Sequence, residues 1–130
     1  MARLMSVAFT EQAVIERRKT VTRRKGWAFL KPGDRLTLCR KVMGRKPDEP
    51  LVRLADVEVV TVRRERLDAL LTDLDYGFDE TAREGFPGTA PESWPSVFVE
   101  FFTAAQGIAP TDEVTRIEWR YLDAEAGESR

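Results

Sequence analysis

Apolar positions recur along this chain at two spacings, and together they predict strands interrupted by helices. The clearest run is Trp94, Val97, Phe98, Phe101, Phe102 and Ala105. Its i, i+3, i+4, i+7, i+8, i+11 spacing predicts a helix over 94–106 with one apolar face turned to the core. Ser93 is placed to cap that helix and Gly107 to end it. Alternation at a period of two predicts strands elsewhere. Leu36 and Leu38 alternate with Arg35, Thr37 and Cys39, and Ile117, Trp119 and Tyr121 alternate with Arg116, Glu118 and Arg120 over 114–122. Between residues 51 and 63 the alternation changes phase, from Val52 and Leu54 to Val57 and Val59. A bulge near Ala55-Asp56 reconciles the two phases and bends the strand as a small barrel requires.

The remaining elements are shorter. Residues 3–9 predict a first strand, and Thr10-Glu11 opens a helix over 11–18 with Thr10 as N-cap. Pro32-Gly33 suits the centre of a type II turn, and 44–50 is a polar loop. Leu67, Leu70 and Leu71 predict a helix over 63–72. Residues 73–92 show no sustained period and read as a long connection, of the kind that is functional or mobile. This order of elements predicts an α+β fold built on a small mixed barrel.

The 130 residues suit one domain, read as 1–123, followed by a small polar tail over 124–130. Nothing in the sequence approaches the ~20 apolar residues of a membrane span, and the N-terminus lacks the pattern of a signal peptide. Cys39 is the single cysteine, so no internal disulfide forms and a reducing, cytoplasmic setting fits. There is no histidine. That excludes every histidine-based triad, argues against a zinc site, and leaves Lys, Glu, Asp or Tyr for proton transfer. No cofactor motif is present. The net charge of −1 conceals an asymmetry: residues 1–46 carry 13 basic and 3 acidic side chains, and residues 47–130 carry 8 and 19. Either the basic half presents an anion-attracting surface, or the halves neutralise one another across the packed domain.

The densest chemistry lies in Lys19-Thr20-Val21-Thr22-Arg23-Arg24, preceded by Arg17 and Arg18. Two threonines around a valine favour extended backbone, which places Lys19, Val21 and Arg23 on one face and Thr20, Thr22 and Arg24 on the other. A short helix running into K-T-x-T-x-R resembles the ASCH family of the PUA-like superfamily. Gly33-Asp34 before a strand, and Glu84-Gly85-Phe86 before the aromatic helix, extend the resemblance from about Val7 to Tyr121. The resemblance implies a PUA-like mixed β-barrel with flanking helices. One departure stands out. The family places a glycine two residues before the lysine, at a left-handed helix end, and Arg17 occupies that position here, so a differently shaped helix end is expected.

Within the family the motif is most similar to small amidohydrolases that remove the acyl group from N(4)-acetylcytidine. That resemblance implies Lys19, Thr22 and Glu84 as the catalytic set. A threonine hydroxyl needs a base to become nucleophilic, and a lysine can be that base if burial and the neighbouring Arg17, Arg18, Arg23 and Arg24 lower its pKa. Lys19 and Thr22 face opposite sides of a flat strand, so the pair requires a bend at Lys19. Glu84 is expected to hold the lysine or pass a proton to the leaving nitrogen. The competing expectation is a module that binds RNA or a modified cytosine base. In it Arg23, Arg24 and Lys25 contact phosphates, and Trp27, Tyr76 or Phe86 stacks a base.

Overall fold

The computed structural model describes residues 2–86 and 94–122. Five strands, β1 (Arg3–Ser6), β2 (Val21–Arg24), β3 (Arg35–Cys39), β4 (Arg53–Arg66) and β5 (Glu113–Tyr121), form one mixed sheet in the order β1-β3-β4-β5-β2. β1 runs parallel to β3 and every other pair is antiparallel. The sheet curls into a half-barrel flanked by helices, the expected α+β class. The helices are α1 (Glu11–Ile15), entered through a single 3-10 turn over Ala8–Thr10, α2 (Ala69–Thr72), α3 (Leu74–Arg83) and α4 (Pro95–Gln106). Among the described residues no helix is long and apolar enough to cross a membrane.

The curl follows from β4. Its register shifts against β3 where Leu38 pairs with Ala55 but Cys39 pairs with Arg53, leaving Leu54 as the extra residue beside the expected bulge. A second shift against β5 inserts Val60 between Val59 and Thr61. Each extra residue reverses which side chains face inward. Val57 and Val59 enter the core before the second shift, whereas Arg63 and Glu65 reach a polar layer after it. β4 also runs three residues past its expected end, because Arg64, Glu65 and Arg66 pair with Thr115, Val114 and Glu113. The helix expected over 63–72 is therefore reduced to α2, with Leu70 buried within it and Leu67 buried just before it.

Two apolar clusters result. One fills the concave sheet with Met5, Val14, Leu36, Leu38, Val57 and Trp119 among its members. The other gathers Leu67, Leu70, Phe98, Val99, Phe102 and Val114 under α2 and α4. The expected core stripe of α4 is only half right. Phe98 and Phe102 are buried, but Trp94, Val97 and Phe101 are 46%, 36% and 37% exposed. The helix rests on α2 and α3 by a narrower face, joined by Val99, and leaves the rest of its stripe uncovered. Trp94 occupies the N-cap position with Pro95 at the first helical residue. Ser93 and the expected tail over 124–130 lie outside the described residues.

The larger correction is α3, which occupies part of the stretch expected to be connection. Asp73 caps it by accepting a hydrogen bond from the Tyr76 amide at 3.2 Å. Gly77 sits within it and lowers its helical signal in the sequence. The structure supplies the reason for the glycine: a Cβ there would lie 2.1 Å from the Leu70 carbonyl oxygen and 2.9 Å from the Pro95 ring. Helices α2, α3 and α4 meet at this point. Thr10, expected to cap α1, holds the capping position without a side-chain bond.

Two substitutions test this packing. Gly77→Ala, which stabilises an ordinary helix by up to ~1 kcal/mol, should here destabilise the protein in urea unfolding. Phe98→Ala should cost about 3–5 kcal/mol and half-exposed Phe101→Ala clearly less. Equal losses for the two phenylalanines would refute the division of the α4 stripe.

Candidate functional site

Lys19 is positioned through its backbone before its side chain does anything. Helix α1 stops because Arg17 adopts φ +65°, a left-handed conformation that glycine takes most easily. The helix thus ends in the left-handed turn expected of a glycine, despite the arginine. Its side chain helps offset the strain: Nη1 donates to the Val14 and Ile15 carbonyls at 2.8 and 3.2 Å, and the guanidinium lies 5.0 Å from the Tyr121 ring centroid. The amides of Arg18 and Lys19 then both donate to the Ala13 carbonyl. On the other side the Lys19 carbonyl accepts Trp119 Nε1–H at 3.0 Å and the Tyr121 hydroxyl. Two aromatic side chains of β5 therefore pin the residue that precedes β2.

β2 begins only at Val21. Lys19 lies in the bend before the strand, so its side chain and that of Thr22 reach the same pocket.

Glu84 arrives from the end of α3. Gly85 follows with φ +104°, and a Cβ there would fall 2.7 Å from the Ala13 Cβ and 3.3 Å from the Lys19 Cβ. Only glycine lets the chain pass this close to α1. The approach sets both acceptors of Glu84 on one amine: Lys19 Nζ donates to the Glu84 carbonyl at 2.7 Å and to Oε1 at 3.2 Å. The second carboxylate oxygen accepts from Arg23 Nη1 at 3.0 Å.

Arg23 continues the network inward. Its Nε and Nη2 donate to Glu65 at 2.9 and 2.8 Å, and Nη2 donates to Glu80 at 2.6 Å. Arg116 stands directly opposite Arg23 across β2 and β5, a repulsive pairing taken alone. Glu80, carried in by α3, resolves it with bonds of 2.6 and 3.0 Å to Arg116. Helix α3 thus meets the sheet partly through an ionic layer. Lys19, Arg23 and Arg116 face Glu65, Glu80 and Glu84 in equal number. Glu65, Glu80 and Arg116 were not singled out in the sequence, because no spacing rule links residues this far apart.

A pocket of about 160 Å³ opens over this assembly. That is many times the ~10–15 Å³ that admits a single water. Lys19, Thr22, Arg23, Arg24 and Glu84 contribute its polar wall, and Phe9, Phe86, Phe98, Phe101 and Phe102 its aromatic one. The rings meet edge to face, Phe9 with Phe101 at 5.2 Å and Phe86 with Phe98 at 5.3 Å. Phe9, 78% exposed, and Phe101 were not singled out as site residues: one read as part of a strand, the other as core. Trp27 and Tyr76 are not brought to the pocket. Trp27, at φ +70°, stacks on Phe29 and packs against the sheet core. The Tyr76 hydroxyl donates to Glu65 at 2.7 Å and accepts from Arg23 and Arg63 behind the pocket. Lys25 is exposed and also absent from the lining. Among the described residues no cluster of carboxylate or thiol groups could hold a metal ion.

No protein-family model matches the chain, and no curated protein sequence does. Solved structures do. An ASCH domain from Lactobacillus crispatus JV V101 superposes with a TM-score of 0.56 at 10% identity, covering 92% of this chain and 79% of that one. A DUF984 protein from Enterococcus faecalis V583 superposes with a TM-score of 0.60 at 13% identity, covering 94% of this chain and 80% of that one. The fold is ASCH-like.

Within this ASCH-like fold the electrostatics of the pocket are set by burial. Desolvation, the largest influence, pushes the Lys19 amine below its ordinary pKa; Glu84 pulls it up, and Arg24 and Arg23 push it down again. Arg17 and Arg18, also expected to repel it, are occupied elsewhere, Arg18 with Glu16 at 2.6 Å. Burial would raise Glu80, but hydrogen bonds and charge from Arg116 and Arg23 hold it below the ordinary carboxylate range.

A group whose folded pKa is depressed adds stability above its unfolded value, near 4.3 for Glu, and loses it as pH falls through the folded one. Glu80→Gln removes the carboxylate that two buried guanidiniums share, leaving Arg23 with Glu65 and Glu84 and Arg116 with Glu118, and should cost up to about 3–5 kcal/mol at neutral pH. Urea unfolding of both proteins between pH 3 and 7 should give curves that converge toward acid. Parallel curves would show that Glu80 is not the ionised keystone of the layer.

Proposed function

We propose that this pocket hydrolyses the N(4)-acyl amide of an acylated cytosine nucleoside such as N(4)-acetylcytidine. The observation that carries the reading is the setting of Lys19. A neutral amine has two N–H bonds and one lone pair, and Glu84 supplies two acceptors. With both hydrogens so directed, the lone pair is left for a third direction, in a pocket that Thr22 also lines. The resemblance of Lys19-Thr20-Val21-Thr22 to the amidohydrolase motif supports the same assignment.

The chemistry follows in two halves. Thr22 Oγ attacks the acyl carbonyl carbon as its proton passes to Lys19 Nζ. The tetrahedral adduct collapses, the bond to N4 breaks, and N4 takes the proton from Lys19 as cytidine leaves. Water then attacks the threonyl ester, again giving its proton to Lys19, which returns it to Thr22 Oγ as the carboxylic acid departs and ionises. Glu84 orients the amine throughout, and the phenylalanine wall offers ring edges and faces to the pyrimidine.

Incubation with N(4)-acetylcytidine, with cytidine release followed by chromatography, tests the activity. The rate should rise with pH as Lys19 loses its proton, with a midpoint below the ordinary lysine value of about 10.4. Lys19→Arg keeps the charge but cannot deprotonate. It should abolish release while leaving nucleoside affinity within about tenfold, or ~1.4 kcal/mol. Unchanged release by this variant would remove Lys19 as the base. Absence of release by the wild type, together with RNA binding that weakens steeply with salt, would favour a binding module instead.

A further inference from the structure

The charges lining the pocket are not equivalent. Arg23 is saturated, with hydrogen bonds to Glu65, Glu80, Glu84 and Tyr76. Lys19 is held by Glu84. Arg24 differs: its Nη2 donates to the Ser6 carbonyl at 2.7 Å, its Nε donates to Thr22 Oγ1 at 3.2 Å, and no carboxylate pairs with it among the described residues. Its Nη1, with two hydrogens, has no acceptor there either. With Lys19 protonated, the layer of Lys19, Arg23, Arg116, Glu65, Glu80 and Glu84 is electroneutral without Arg24. The pocket therefore keeps one cation whose hydrogen-bond partners are all uncharged, fixed beside the hydroxyl of Thr22, with the Glu84 carboxylate acting on it only at longer range.

We infer that Arg24 is the anion-binding group of the pocket and takes a carboxylate or an oxyanion next to Thr22. The assignment of an anion subsite stands on this geometry alone; its role in turnover rests on the hydrolysis proposed above. There, attack by Thr22 Oγ moves the carbonyl π pair onto oxygen, and Arg24 Nη1 donates to that negative oxygen. The pair returns when the C–N4 bond breaks, and the cycle repeats when water cleaves the ester. Nε meanwhile holds Thr22 Oγ1, so one planar guanidinium orients the nucleophile and receives the charge its attack creates. A preformed donor of this kind needs no reorganisation at the moment of reaction.

The test uses acetate, the expected product, as probe. At constant ionic strength, acetate titrated into the full-length protein should shift the Arg24 Nε–H resonance in a saturable manner, and Arg24→Gln should weaken acetate at least tenfold. For N(4)-acetylcytidine, Arg24→Gln should lower kcat about 100- to 1000-fold with KM within threefold. If Arg24→Gln does not fold, Arg24→Lys carries the test. It should keep acetate within tenfold and lose at least tenfold in kcat, because a single ammonium cannot serve Thr22 and the oxyanion together. Acetate affinity independent of residue 24, or an unchanged kcat in a folded variant, overturns the inference while leaving the hydrolase reading intact. Acetate bound through Arg24 without any cytidine release by the wild type does the reverse.

Discussion

The structure depends on one carboxylate shared between two buried basic side chains. Glu84 gives one oxygen to Lys19 and the other to Arg23, and this bridge joins the end of α3 to the bend before β2. A desolvated lysine or arginine without a counter-charge is costly, and so is the carboxylate alone. Each member therefore makes the others tolerable. The geometry also serves the site: because Arg23 draws on the same carboxylate, Lys19 does not hold the full charge of Glu84.

Behind that bridge, α3 meets the sheet across Arg23, Arg116, Glu80 and Glu65, whereas α2 and α4 rest on leucine, valine and phenylalanine. An ionic layer is no stronger than a well-packed apolar one, and burying it gains little net stability. Its directional bonds do tolerate less misplacement than methyl groups do. The contrast places the rigid, directional contacts on the polar side of the pocket and the adaptable ones on its aromatic side. The uneven distribution of charge along the chain finds its use here, since Lys19 and Arg23 of the basic half meet Glu65, Glu80 and Glu84 of the acidic half.

Much of this was legible from local pattern. The strands of β3 and β5, the bulged course of β4, and the helix before Lys19 all declare themselves by alternation or capping. Lys19, Thr22 and Glu84 stood out through their motif context, and the structure places them around one pocket. What escaped depended on distance or on a misleading local signal. Gly77 weakens the helical pattern of α3, yet it is there for the approach of the Leu70 carbonyl. Phe101 follows the core period of α4 but is left uncovered by the shape of its neighbours. Trp27 and Tyr76 looked like stacking residues because aromatics in loops invite that reading; one seals the sheet core and the other closes a hydrogen-bond circuit. Glu80 and Arg116 are separated by 36 positions, and only the fold brings them together.

The double anchor on the Lys19 carbonyl carries a consequence in time. Trp119 and Tyr121 lie 100 and 102 positions beyond the residue they hold. A chain made at roughly 5–20 residues per second spends several seconds with Lys19 synthesised and β5 still absent. During that interval the basic strand is an unpaired edge, and the bend before it has no fixed carbonyl. Contacts of such long range form late, once loop closure has been overcome. The bend that carries Lys19 therefore gains its anchors only after β5 has been made, and a nascent chain carries Lys19 and Thr22 before the pocket around them can close.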